Sequence, residues 1–169
     1  MNDLIRQLKI QIIKLKIQLY SLYLKNYMEQ TLNGIKIYQK AKSLLGLDIT
    51  PKDTISDIYS CAETVNMIVE LAIGRQIGGG ASTRLMYESL KDTSRFLQVE
   101  TPLAGDVIIS PTGQGNGNIL HGHCGIIGNF GIMSNNSDNG LLQEKLTLDI
   151  WKYFYGRTGG FPVLFYRVL

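Results

Sequence analysis

Between Asp3 and about Lys25, apolar residues fall at Ile5, Leu8, Ile12, Leu15, Leu19 and Leu22. The steps alternate between three and four, the spacing of a heptad seam on a helix. A second seam follows Ile10, Ile13, Ile17, Tyr20 and Leu24 on another face. The local alternation Ile13, Leu15, Ile17, Leu19 also fits a strand. Asn33-Gly34 predicts a break, so the chain divides into an N-terminal amphipathic helix (1–33) and a body (34–169). A helix over about 35–45 should stop at Gly46, and LDITPKDTISDIYS, with Pro51, reads as a loop. In SCAETVNMIVELAIG, Ser60 and Glu63 have the spacing of a capping box. Ala62, Val65, Ile68, Val69 and Ala72 then recur at helical spacing, and Gly74 supplies a stop. Gly78, Gly79 and Gly80 make a flexible or closely approached loop. Ser82 should cap a helix to about Leu90, with Leu85, Met86 and Leu90 inward.

From Phe96 the pattern changes. Gly105-Asp106 marks a turn into a short buried strand, Val107 to Ile109. HGHCGIIG gives a second strand and GIMSNNS a third, followed by a turn at Asn139-Gly140. LTLDIWKYFYGR, led by Thr147, reads as a helix, and FPVLFYRVL as a closing strand. Helices first and strands later imply an α+β fold with a small antiparallel sheet.

The length of 169 residues suits one domain plus an extension, and 44% hydrophobic content is ample for a core. Two cysteines exclude a disulfide framework and point to a reducing compartment during synthesis. The net charge of +3 resides within the first thirty residues. Beyond Gln30 the twelve basic and twelve acidic residues cancel, which removes any general case for nucleic-acid binding. Lysines interrupt the N-terminal apolar run, so it is too polar for a membrane span and lacks the apolar core of a signal peptide. Cytoplasmic synthesis is the expectation. One partner face cannot hide two seams. Self-association into a homo-oligomer is the leading reading, with membrane-surface contact and intramolecular packing as alternatives.

Cys61 is expected at the first residue of a buried helix, where unpaired N–H groups and the helix dipole favour a thiolate. The plain alternative is a small buried apolar residue. A cysteine nucleophile needs a base, and the chain has only two histidines, His121 and His123, both at the start of the HGHCGIIG strand. One imidazole would take the thiol proton and later protonate the leaving amine. A metal site on His121, His123 and Cys124 is the rival, but H-x-H-C matches no common zinc spacing and no CxxC pair completes it. Strand alternation also turns Cys124 away from the histidines. No metal or cofactor is expected. The triple glycine lacks the G-x-x-x-x-G-K-[ST] pattern of a phosphate loop.

The order SCAETVN, LAGDVIISPTG, GHCGIIG, IMSNNSDNG resembles the NlpC/CHAP-type cysteine peptidoglycan hydrolases, whose fold is papain-like. The resemblance runs from about Ile35 to Leu169. It implies that Cys61 is the nucleophile and that His123, in the Gly-His position, is the base. Asp106 would belong to the turn. The orienting group would come from the following strand, where Ser134 and Asn136 share one face and Asn135 the other, and Asn136 is favoured. His121 and Ser134 would approach the substrate. Cys124, where the family more often has an aliphatic residue, reads as a small buried substitute. The implied reaction is thiolate attack on a cell-wall amide, an endopeptidase or N-acetylmuramoyl-L-alanine amidase activity. The backbone N–H of Cys61 would help hold the oxyanion. The setting would be that of a phage-type lysin, released to the wall or carried on a particle. Action on another amide, or a non-catalytic assembly role on the same fold, are the alternatives.

Overall fold

The computed structural model describes residues 2–50 and 60–169. A single helix, α1 (Asn2–Ser43), opens the chain. At 1.5 Å per residue, 42 residues make a rod of about 63 Å. The expected break at Asn33-Gly34 does not occur, and the 33/34 boundary falls inside the helix. A helix-interior glycine costs only about 1 kcal/mol relative to alanine. Packing supplies a reason for it here. The helix crosses the turn before Asp106 so closely that a Cβ on Gly105 would lie 1.9 Å from the Gly34 carbonyl oxygen. C-terminal to that crossing, Ile37 and Ala41 are fully buried against the body. N-terminal to it, all eleven residues of the two predicted seams are exposed, from 40% at Ile10 to 71% at Tyr20. Among the described residues no helix is long and apolar enough to cross a membrane.

The second helix, α2 (Cys61–Ile73), ends as expected on Gly74, which adopts φ +77° and donates its N–H to Glu70. Its start differs from expectation. Ser60 makes no side-chain cap, so the Ser60–Glu63 box does not form. The Ser60 hydroxyl is wholly buried and meets Asn135 and Thr50 instead. The predicted loop around Pro51 lies, beyond Thr50, outside the described residues. The triple glycine is clamped by Asn66, whose carboxamide bonds Gly78 N–H and the Gly78 and Gly80 carbonyls. Ser82 caps α3 (Thr83–Leu90) through Leu85 N–H, as expected. Met86 and Leu90 point inward, but Leu85 is half exposed, because an eight-residue helix buries one narrow stripe.

The strands are β1 (Phe96–Val99), β2 (Val107–Ser110), β3 (His123–Ile127), β4 (Ile132–Asn135), β5 (Leu142–Leu146) and β6 (Leu164–Val168). Among the described residues they form one antiparallel sheet in the order β1-β6-β2-β3-β4-β5. The α+β expectation holds. The two edge strands, β1 and β5, were not anticipated: their exposed positions carry Leu97, Gln98 and Lys145 rather than a continuous apolar run.

Strand alternation divides the core. Val107, Ile109, Cys124, Ile126 and Met133 face α1, α2 and α3. Ile108, Ile127, Ile132 and Phe165 face the other way, onto Trp151. Trp151 ends α4 (Leu148–Trp151), capped by Thr147 as predicted. The expected single helix then changes character, and Lys152–Thr158 is a π-helical turn. Behind the sheet, Asp106 and Arg167 form a nearly buried bidentate pair at 3.0 and 2.8 Å, and Asp106 also accepts from Leu103 N–H at 2.8 Å. Asp106 is thus a turn anchor, as read from sequence.

Candidate active site

Where α2 begins, the sheet's central strand β3 also begins, and a cleft of about 530 Å³ opens between them. That is an ordinary size for a ligand site. Cys61, His121, His123, Ser134, Asn135 and Asn136 all line it, so the structure gathers the six residues assigned from sequence to catalysis and substrate contact. Their surroundings differ.

Cys61 occupies the first position of α2 and is 7% exposed. The side chain of Cys124 hydrogen-bonds its sulfur, and this contact does most to hold the Cys61 thiol well below the usual range. Burial opposes it; the charge and hydrogen bond of His123, then the Cys124 backbone, add to it. Cys124 is fully buried, and burial followed by the hydrogen bond and charge of Cys61 pushes its own thiol well up. Cys124 is therefore the neighbour that shapes the Cys61 thiol, a role that its reading as an aliphatic substitute did not include. The sequence expectation turned Cys124 away from the face of the histidines and did not place it beside Cys61; in the structure both Cys124 and His123 act on the Cys61 thiol.

His123 is set by its neighbours. Any side chain on Gly122 would lie 2.0 Å from the Ser110 carbonyl oxygen, so a glycine must precede the histidine. Gly122 N–H also donates to Thr112 Oγ1 at 2.8 Å, and Thr112 bonds Thr83 at the start of α3. The imidazole stacks on Trp151 (centroids 5.2 Å apart) and on Tyr155 (5.7 Å), both with ring planes 22° apart. Trp151 is itself fixed by its indole N–H, which donates to the buried Ser110 hydroxyl at 3.1 Å. Tyr155 lines the cleft, and burial, the charge of Cys61 and then that of Cys124 push its phenol up, so it stays protonated. These two aromatics were missed at the sequence level. The signal was the aromatic spacing in WKYFY just after a capped helix start.

The asparagines divide their duties. Asn135 is buried on the α2 face, and its amide donates to the Ser60 hydroxyl, tying β4 to the residue before Cys61. Asn136 is engaged at both ends of its carboxamide: its NH2 donates to Gln143 at 2.9 Å and its oxygen accepts from Asp138 N–H at 2.9 Å. It thus serves the β4–β5 turn at the cleft wall. His121 is exposed at the mouth of the cleft. Among the described residues, Lys145 is the only lysine or arginine that lines the cleft, and no aspartate or glutamate does. Among the described residues, no group of three or more His, Cys, Asp or Glu is placed to hold a metal ion. Chemically, the arrangement can supply a thiolate at a helix N-terminus, an adjacent imidazole and a backbone N–H donor.

No protein-family model matches the chain. No curated protein matches it either. One solved structure is similar: a chain in the crystal structure of the type VI native effector-immunity complex Tae3-Tai3 from Ralstonia pickettii. The identity is 21% and the TM-score 0.50, over 79% of this chain and 97% of that one. That likeness concerns the fold.

Proposed function

We propose that this protein is a cysteine hydrolase of cell-wall peptide amides, on a papain-like fold of the NlpC/CHAP type. The observation that carries the reading is the placement of Cys61, the first residue of α2, and His123, the first residue of β3, on the wall of one open cleft, where the charge of His123 adds to the lowering of the Cys61 thiol. In the proposed reaction the Cys61 sulfur attacks the amide carbonyl, and the oxyanion meets the N–H groups at the start of α2. His123 protonates the departing amine, then draws a proton from water as the thioester is hydrolysed. Trp151 and Tyr155 hold the imidazole, and Asn135 holds the loop end that carries Cys61. Such an enzyme would reach the wall by the release route of a phage-type lysin or on a particle.

The test is incubation of the purified chain with purified peptidoglycan, with mass spectrometry of the released fragments. New amine termini at one bond type, absent with Cys61→Ala, support the reading. Intact peptidoglycan in the presence of a reactive Cys61 would instead favour another amide substrate. An unreactive Cys61 would favour the non-catalytic assembly role.

A second reading rests on α1. Its eleven exposed apolar residues would each gain on the order of 1.5–3 kcal/mol on full burial. We propose that α1 joins copies of this chain, with antiparallel packing separating the like charges of Lys9, Lys14 and Lys16. Light scattering of the intact protein tests it. A monomer that also ignores lipid vesicles would sink it, and vesicle binding would replace it with membrane-surface contact.

A further inference from the structure

Cys61 shares its core cluster with a second thiol. Cys61 and Cys124 are both free thiols buried in one core cluster, and each side chain perturbs the other. They sit on α2 and β3, which pack directly together in the larger core. Cys124 is held on a strand paired on both sides, so its position is fixed by the sheet rather than by a loop. Access is asymmetric. Cys61 lines the cleft, whereas Cys124 has no exposed surface. A dissolved oxidant therefore meets one sulfur and not the other.

We propose that Cys61 and Cys124 are an oxidation site, in which a hydroperoxide entering the cleft converts the pair to a reversible disulfide. The Cys61 thiolate attacks the peroxide oxygen. An S–O bond forms, the O–O bond breaks, and the departing hydroxide takes the proton held by His123 and leaves as water. The sulfur is oxidised to sulfenic acid by two electrons, which reduce the peroxide. The Cys124 sulfur then attacks Cys61, forming the S–S bond and breaking the S–O bond. Hydroxide leaves with the Cys124 proton as a second water. One hydroperoxide and two thiols thus give one disulfide, one water and, from hydrogen peroxide, a second water.

The geometry favours both steps. The first uses the same thiolate character that the hydrolase reading needs. In the second, conversion of Cys61 to a neutral sulfenic acid removes the negative charge that opposes ionisation of Cys124. Both sulfurs belong to one packed core cluster on elements that pack together, and the bond requires them to close to about 2.05 Å. The disulfide would occupy the nucleophile and withhold it from irreversible oxidation. The loss of hydrolysis rests on the function proposed above, but the thiol chemistry does not.

The test is hydrogen peroxide treatment of the reduced full-length protein, followed by intact mass and non-reducing peptide mapping. The expected result is a mass lower by two hydrogens, a joined pair of peptides containing Cys61 and Cys124, and return of both thiols with dithiothreitol. Cys124→Ala should instead carry Cys61 on to sulfinic acid, which dithiothreitol does not reverse. Cys124→Ser is the substitute should the alanine variant fold poorly. Sulfinic acid on Cys61 in the wild-type chain, with Cys124 still a free thiol, would overturn the proposal. So would a chain in which neither sulfur changes. A chain that forms the link yet cleaves no peptidoglycan would sink the hydrolase reading and leave the oxidation site standing.

Discussion

Asp106→Ala removes both acceptors of the pair behind the sheet. The Asp106 side chain is 2% exposed and that of Arg167 is 12% exposed, so water cannot readily replace the lost carboxylate. Two charge-assisted bonds go, at 3.0 and 2.8 Å, together with the one from Leu103 N–H. A buried guanidinium that loses its partner costs about 3–5 kcal/mol. For a chain of this size each kcal/mol lowers the melting temperature by about 2–4 °C. The expected loss is therefore about 6–20 °C, read by thermal unfolding and by the urea midpoint at unchanged slope. Asp106→Leu combined with Arg167→Leu should recover much of that loss, because it removes both desolvated charges instead of depriving the guanidinium of its buried carboxylate. A single-variant loss below about 1 kcal/mol would refute the reasoning, since that is the worth of an exposed pair. So would a double variant no better than the single.

The remaining outcomes concern the site and α1. Cys61 should still be alkylated by iodoacetamide below the ordinary thiol range of about 8.5, losing reactivity as pH falls through its lowered value. Cys124→Ala should move that midpoint upward, since the Cys124 contact is the largest cause of the lowering; an unmoved midpoint would count against it. His123→Ala should cut wall hydrolysis by about 10²–10⁴-fold. Trp151→Phe, which loses the bond to Ser110, should lower kcat more than it raises KM and shift the pH profile; a change in stability alone would mean that Trp151 does not position His123. Leu15→Glu with Leu19→Glu should leave the melting temperature of the body within about 1 °C but reduce the light-scattering mass of any assembly.

Much of this was legible in the chain because local rules were left undisturbed. Gly74, Ser82 and Thr147 terminate or cap their helices as their types predict. Val107 to Ile109 and the Gly-His strand are apolar enough to reveal buried strands. What was not legible depended on tertiary partners. Ser60 gives up its cap because a buried asparagine claims its hydroxyl. Asn33-Gly34 stays helical because of a turn some seventy residues away. The contact of Cys124 with Cys61, and of Trp151 with His123, joins residues that no spacing rule relates. The edge strands, with only one partner each, carry little of the apolar signature that marks central strands.

The crossing of Gly34 over Gly105 fixes a bearing. An α-helix turns about 100° per residue, so the heading of every N-terminal side chain is counted from the point where the body grips the rod. That point is backbone against backbone, and one step of rotation or sliding would bring a side chain into a gap that admits none. Deleting a single residue between Leu24 and Gly34 would therefore swing both greasy stripes by about 100° relative to the cleft mouth, with the composition nearly unchanged. Any structure assembled on that rod inherits its angular relation to the chemistry from one pair of glycines.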